Sequence, residues 1–126
     1  MTEYLTLEDL ILLCRDLGDL AVRDLGLLHS AAERPATSLY GTEVYSTVHE
    51  KAAALMQSLT RNHALIDGNK RLGWLGTVVF YGLNGHELDA PDEDAYEFVI
   101  SVSTGDVDIS DMAVALAAWV RPPAAP

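Results

Sequence analysis

The chain has 126 residues, of which 49% are apolar and 21% are charged, and its formal net charge at pH 7 is −11. This length is common for one domain, and the composition is that of a folded protein rather than a disordered one. The acidic excess repels the phosphate backbone of nucleic acids, so we expect no direct nucleic-acid binding. One domain is predicted over residues 1–121, followed by a Pro/Ala-rich tail over residues 122–126.

The sequence predicts neither a secretory signal nor a membrane span. No basic and then apolar leader precedes Thr6, and every apolar stretch is interrupted well short of the roughly 20 residues that a bilayer span requires. The single cysteine, Cys14, cannot form an internal disulfide, and its helical spacing from Leu10 and Leu17 is typical of a buried, inert thiol. We therefore expect a cytoplasmic protein without membrane contact.

The N-terminal part is predicted to form two helices and a hairpin. Thr6, with Asp9 three residues later, is typical of a helix start. A second helix is predicted over residues 24–33, and Pro35 should end it because proline disfavours helical backbone in the residue before it. Residues 36–46 contain two short apolar pieces on either side of a glycine, which predicts a small hairpin.

Two helices are predicted next, on either side of a polar loop. Residues 47–50 fit a capping box, and apolar residues then repeat at helical spacing as far as Asn62, which predicts an amphipathic helix. Residues 72–83 are apolar on nearly every side, which is typical of a helix buried in the middle of a bundle. Asn84 and Gly85 supply its stop.

The C-terminal part is predicted to be helical as well. Pro91 suits the first position of a helix that should end at Gly105, and a last helix is predicted over residues 110–120. Acidic side chains are concentrated over residues 89–97 and 106–111, a pattern typical of solvated helix starts, with partner recognition as the alternative. The predicted fold class is therefore all-α, with one short β-hairpin.

The loop between the two middle helices and the residues that follow it carry the features of a phosphate site. Gly68 lets the backbone approach a ligand closely, and the free N–H groups of a helix start favour an anion. Lys70 and Arg71 add two positive charges in a chain with only eight basic side chains, which favours a polyphosphate ligand. A solvated surface pair remains an equal alternative on these residues alone.

Three further side chains in the loop have chemical roles open to them. Asp67 supplies a hard oxygen ligand for Mg²⁺, which needs only one or two carboxylates, or it stabilises a helix start. Asn69 can orient a phosphate oxygen or cap the next helix. His63 can take a proton from an attacking hydroxyl as a general base, although a single histidine is more often structural. The combination of residue types indicates a nucleotide-phosphate site more strongly than any one of them.

The order of these residues resembles the signature of the Fic/Doc family, H-x-F-x-D/E-G/A-N-G/K-R. Residues 63–71 match it apart from Leu65 in place of phenylalanine, and the proline common after the histidine is Ala64 here. The resemblance extends upstream through residues 32–35 and 50–55 and downstream through 80–85. In all it covers roughly residues 25 to 120, and a long ordered motif of this kind is highly specific.

The resemblance implies a helical bundle in which the signature loop joins two central helices and a hairpin flap, here residues 36–46, holds the target segment by strand pairing. It also implies ATP and Mg²⁺ as cofactors. The implied roles are a general base, a magnesium ligand and a set of nucleotide-phosphate ligands. In this chain these roles fall on His63 as the base, on Asp67 as the metal ligand, and on Gly68, Asn69, Lys70 and Arg71 at the phosphates.

Lys70 and Trp74 indicate which branch of the family the chain is similar to. Members that transfer a nucleotidyl group carry glycine at the first position and a second arginine at the other, whereas Doc-type toxins carry lysine and lack that arginine. The likeness to Doc implies a toxin kinase that transfers the γ-phosphate of ATP to a Ser or Thr hydroxyl of a translation elongation factor, and that an antitoxin protein inhibits. The alternatives are a nucleotidyl transferase on the same scaffold and a catalytically idle peptide-binding module.

Overall fold

A computed structural model describes residues 1–121, which fold into six α-helices, one short 3₁₀ turn and two small antiparallel sheets. The predicted tail over residues 122–126 lies outside the described residues. The mostly helical fold class predicted from the sequence is confirmed. The helices are α1 (Leu7–Asp16), α2 (Leu25–Glu33), α3 (Val48–Arg61), α4 (Asn69–Leu83), α5 (Asp92–Thr104) and α6 (Ile109–Trp119), and the 3₁₀ turn is Arg34–Ala36.

Local hydrogen bonds explain where the first and third helices begin. The Thr6 hydroxyl accepts from the N–H of Asp9, whose carboxylate accepts from the N–H of Thr6, so α1 starts with a complete capping box. The box predicted at Thr47 is only half formed. The Thr47 hydroxyl caps α3 by accepting from the N–H of Glu50, but the Glu50 carboxylate accepts from the hydroxyls of Thr47 and Ser46 instead of from a backbone N–H.

The predicted end of the second helix at Glu33 is confirmed, and Pro35 then lies in the short turn Arg34–Ala36, where proline lacks only an N–H that a first turn leaves unused. Three other predicted boundaries were wrong by a few residues. Pro91 is the cap of α5 and not its first residue, since its backbone is extended (φ −55°, ψ 140°). The last helix begins at Ile109, and α4 begins at Asn69, ahead of the first apolar residue on which its prediction rested.

The more deeply buried of the two middle helices is α3, although the sequence predicted that α4 would be the one buried on nearly every side. Nine of the 14 residues of α3 are buried, whereas six of the 15 in α4 are buried. Three consecutive alanines, residues 52–54, let neighbouring elements approach α3 on several sides. Its buried polar residues include Lys51 and Thr60, whose side chains have hydrogen-bond partners, so a sequence that looks amphipathic is covered nearly all round.

Two glycines bring α4 into close contact with α3. A β-carbon on Gly73 would lie 2.4 Å from the Thr60 methyl group, and one on Gly76 would lie 2.9 Å from a Leu59 methyl group. Larger side chains at these positions would separate the helices. Because this contact lies next to the end of α3 and the start of α4, it fixes the two points between which the signature loop is held.

The hairpin predicted over residues 36–46 is present. Strand β1 (Ser38–Leu39) pairs with β2 (Thr42–Glu43), and the turn between them has φ values of 51° at Tyr40 and 80° at Gly41. Two left-handed residues of this kind make the tight turn that suits a hairpin. We refer to residues 37–45, the two strands with the residues that flank them, as the flap.

A second sheet, which the sequence did not predict, closes the C-terminal part. Strand β3 (Glu87–Leu88) pairs with β4 (Val120–Arg121) across a long separation in the chain. Cys14 is buried, as predicted. Among residues 1–121, no helix is both long and apolar enough to cross a membrane.

Candidate active site

The signature residues lie in the loop between α3 and α4 and in the first turn of α4. The loop runs from His63 to Gly68, and both of these residues have left-handed backbone, with φ values of 54° and 88°. Glycine adopts this conformation readily, whereas histidine does so only when its surroundings hold it there. The exposed side chain of His63 is therefore presented by a constrained backbone.

The inner side of the loop is buried and is hydrogen-bonded to Asn69, the first residue of α4. Ala64 and Leu65 are 2% and 1% exposed, which confirms that the leucine in the family's phenylalanine position is an apolar anchor. The Asn69 side chain accepts from the N–H of Leu65 at 3.0 Å and donates to the Leu65 carbonyl at 3.1 Å. Both polar atoms of the Asn69 amide therefore hold the loop, a role that the sequence reasoning did not consider.

A distant segment, residues 21–24, pairs with the outer side of the loop. The N–H groups of Arg23 and Asp24 donate to the Ala64 carbonyl at 2.8 and 3.0 Å, and the Ile66 N–H donates to the Ala21 carbonyl at 3.0 Å. The Arg23 guanidinium donates from Nε to the His63 carbonyl at 2.9 Å and also from Nη2. Sequence reasoning missed Arg23 because no spacing links it to the motif, and its only signal was its rarity as one of eight basic residues.

The first turn of α4 is open to an anion. The residue that precedes α4, Gly68, has no side chain with which to cap the N–H groups of the turn. Of the other five helices, α1, α2, α3 and α6 are capped by a side-chain oxygen, whereas α5, which follows Pro91, has no side-chain cap and three acidic residues in its first turn. The first turn of α4 also carries Lys70 and Arg71, which lie at the positive end of the helix dipole and form no salt bridge within residues 1–121. Positive charge at a helix N-terminus is unfavourable unless an anion neutralises it.

All six predicted site residues line one cavity of about 320 Å³. Its wall is completed from outside the motif by Thr60 on α3 and Ser103 on α5, which the sequence did not indicate. The predicted residues in the lining are His63, Asp67, Gly68, Asn69, Lys70 and Arg71. The structure thus brings a histidine, a carboxylate, two cations and an uncapped helix start around a single space.

Asp67 fits a magnesium ligand of the kind that needs a phosphate partner. Its carboxylate is exposed, and one oxygen accepts from the Gly68 N–H at 2.8 Å, which fixes the side chain beside the uncapped helix start. Within residues 1–121 no cluster of three metal-ligating side chains exists. Mg²⁺ at this position would therefore take its remaining ligands from phosphates and water, which is its common arrangement in nucleotide enzymes.

An apolar groove of about 510 Å³ adjoins the cavity and shares Lys70 and Arg71 with it. Trp74 on α4 and Tyr96 on α5 lie in this groove, together with Leu17 beyond the end of α1. Trp74, whose position served to choose between branches of the family, therefore lines the groove and not the cavity itself.

Comparison with known proteins agrees with the signature. Residues 4–81 match the Fic/DOC family. This match begins farther upstream than the resemblance noted in the sequence and stops near the end of α4. The chain is also similar to the protein named Toxin Doc of Mycolicibacterium smegmatis (strain ATCC 700084 / mc(2)155), with 45% identity over 124 residues, which cover 94% of this chain and 95% of that protein.

Proposed function

The chain belongs to the Fic/DOC family, and on this premise we propose that it is the toxin of a toxin–antitoxin system. We further propose that it is a kinase that transfers the γ-phosphate of ATP to a Ser or Thr hydroxyl of a translation elongation factor and so inhibits protein synthesis. It would act in the cytoplasm, where elongation factors work, and an antitoxin protein would restrain it. The similarity to Toxin Doc supports the toxin assignment.

The observation that carries the phosphotransfer proposal is the start of α4. Free N–H groups, a positive dipole end and the side chains of Lys70 and Arg71 all favour one anionic ligand in the cavity. A triphosphate satisfies all three at once, because its oxygens can accept from the backbone and from both cations. The local alternative, a solvated Lys-Arg pair, leaves both the charges and the N–H groups of the helix start to water, and it gives no reason for them to lie together.

Each step of the proposed reaction has a residue in the cavity. The target hydroxyl attacks the γ-phosphorus while His63 accepts its proton, and a new oxygen–phosphorus bond forms. The bond from the γ-phosphorus to the oxygen bridging the β-phosphate breaks, and ADP leaves with that electron pair. Lys70 and Arg71 hold the phosphates in line for the attack. Mg²⁺ bound at Asp67 would neutralise negative charge on the phosphate oxygens.

Lys70 and Trp74 favour phosphate transfer over nucleotidyl transfer. The likeness to Doc-type toxins implies that lysine fills the space that glycine leaves open in nucleotidyl transferases, so that the nucleotide binds in the reversed direction with its γ-phosphate at the hydroxyl. Half-buried in the apolar groove, Trp74 replaces the second arginine of those transferases. Nucleotidyl transfer on the same scaffold is the second candidate, since it uses the same base and cations.

Transfer from ATP labelled at either the α or the γ position decides between the two reactions. The protein is incubated with an elongation factor, Mg²⁺ and one labelled ATP, and label retained on the factor is measured. We expect label from the γ position only. Label from the α position would refute the kinase and establish nucleotidyl transfer.

His63→Asn is the matched control for this assay. Asparagine tolerates the left-handed backbone at this position better than most residues, so the loop should keep its shape while the base is lost. Transfer should fall by about 10²–10⁴-fold. Expression of the unchanged protein should stop cell growth, whereas the variant should not, and co-expression of an antitoxin should restore growth. Equal toxicity of the two proteins would favour the idle binding module instead.

A further inference from the structure

The flap has no core of its own. Its two strands contain two residues each, every residue from 36 to 44 is exposed, and Tyr40 at the tip is 99% exposed. An isolated hairpin of this size is marginally stable at best in water. The position of the flap must therefore be fixed where it joins the rest of the molecule.

A buried lysine of α3 contacts the flap. Lys51 is 1% exposed, and its ammonium donates to the main-chain carbonyl of Tyr45 and forms a salt bridge with Glu43 at 3.2 Å. Burying an ammonium group is unfavourable unless it is paired and hydrogen-bonded. Both identified partners of the Lys51 ammonium belong to the flap, so the need to pair this buried charge keeps the flap in place.

A second cation, Arg34, binds the side chain of Tyr45. Arg34, in the 3₁₀ turn that precedes the flap, donates from Nε to the Tyr45 hydroxyl at 3.0 Å, and its guanidinium lies 5.5 Å from the Tyr45 ring centre. It also donates from Nη1 to Gln57 and Ser58 on α3, at 2.8 and 3.0 Å. The main chain of Tyr45 is thus held by Lys51 on α3, and its side chain is held by Arg34, which is itself hydrogen-bonded to α3.

The candidate base lies just beyond the end of the same helix. Arg61, the last residue of α3, comes ten positions after Lys51, which corresponds to about 15 Å of helix, and His63 follows two residues later in the loop. Because α3 is the buried centre of the bundle, the anchor of the flap is fixed relative to the point at which the loop with His63 begins.

We propose that Lys51 is a positioning residue that holds the flap ready to pair with an extended segment of the target protein, and that Glu43 is its partner in this role. The inference rests on the proposed function for its target. Its physical basis is independent of the chemistry. Within residues 1–121 each of the two strands keeps an unpaired outer edge, and an extended peptide can add to such an edge only if the edge is held in place. Lys51 does not touch the reacting groups, so it affects target binding and not the transfer step.

Steady-state transfer by Lys51→Met and Glu43→Gln tests the proposal. If loss of the anchor leaves the flap competent in about one molecule in ten, the KM for the elongation factor rises about tenfold, while kcat and the KM for ATP stay unchanged. Glu43→Gln should raise the same KM less, because the Tyr45 carbonyl still holds the ammonium. Glu33→Gln, which removes an exposed carboxylate from α2, is the matched control and should change nothing.

Hydrogen exchange supplies the second readout. The amide of Val44, which donates to the Thr37 carbonyl at the base of the flap, should lose protection in Lys51→Met, while the amides of α3 and α4 keep theirs. Retained protection would refute the anchor, and lost protection with an unchanged KM would refute the positioning role. A fall in kcat with an unchanged KM for the factor would refute it as well. If the unchanged protein transfers nothing, the proposed function fails, and the exchange experiment alone then decides whether Lys51 anchors the flap.

Discussion

Gly68 is the position in the loop where an added methyl group should be most costly. Its φ of 88° is left-handed, and a β-carbon there would lie 2.6 and 3.0 Å from the two methyl groups of Leu20 and 3.2 Å from Nη2 of Arg71. The backbone strain in Gly68→Ala costs about 1–2 kcal/mol. Leu20 is only half-buried, so its methyl groups can move, and displacing them costs about 0.5–1.5 kcal/mol more. We therefore expect a loss of about 1.5–3.5 kcal/mol in the free energy of unfolding.

Two other glycines separate these contributions. Gly85 has the same kind of backbone, with a φ of 81°, but a β-carbon there meets nothing within 4 Å, so Gly85→Ala should cost the strain alone, about 1–2 kcal/mol. Gly82 lies within α4 with nothing near its β-carbon position. Gly82→Ala should stabilise the protein by about 0.5–1 kcal/mol, because alanine favours helix.

Urea denaturation measures the three variants under one set of conditions, and a double-mutant cycle with Leu20→Ala isolates the clash. The cost of Gly68→Ala should fall by at least about 0.5 kcal/mol when Leu20 is already shortened. Transfer should also fall about 10–100-fold in Gly68→Ala, since Arg71 must move away from the new methyl group. A Gly68→Ala variant no less stable than Gly85→Ala, with full transfer, would refute this account of the loop.

Three further variants test the surroundings of the site and the pH dependence of stability. Arg23→Met should keep the free energy of unfolding within about 1 kcal/mol of that of the unchanged protein, because Arg23 is exposed. It should lower transfer about tenfold, since the loop loses its side-chain anchor. Unchanged transfer would contradict this. Asn69→Asp loses the donor that closes the loop, so it should cost about 1–3 kcal/mol in urea denaturation. Burial and then the neighbouring His86 lower the pKa of His49 below its ordinary 6.5, so the unfolded chain binds this proton more readily than the folded one. Stability due to His49 should be fully present above about pH 7 and be lost as the pH falls, and His49→Gln should reduce this dependence in thermal unfolding scans. A dependence that is unchanged in His49→Gln would contradict this.

The helices and the flap could be predicted because their signals are local. Thr6 and Asp9 satisfy each other across three residues, and the turn at Gly41 needs only its own backbone freedom. The pairing of β3 with β4 brings together strands more than thirty residues apart, and no periodicity reports such a contact. The burial of α3 on nearly every side was not predicted for a related reason, since Lys51 looks like a solvent-facing residue until the flap supplies its partners.

The site contains residues that hold the loop in shape and residues whose side chains are free to meet a ligand. Only the second kind could be identified from the sequence by the chemistry of their side chains. Asn69 is hydrogen-bonded to the main chain of Leu65, and Arg23 is hydrogen-bonded to the outer side of the loop. The polar groups of these residues therefore bind the loop itself and not a ligand. Lys70 and Arg71 make no hydrogen bond or salt bridge from their side chains among residues 1–121. Because the loop is held to the start of α4 without these two side chains, both stay available to a ligand beside the uncapped helix start. It follows that the charge of Lys70 and Arg71 at the positive end of α4 is unfavourable until an anion binds, so a polyphosphate should raise the melting temperature of the protein more than it does that of Lys70→Met.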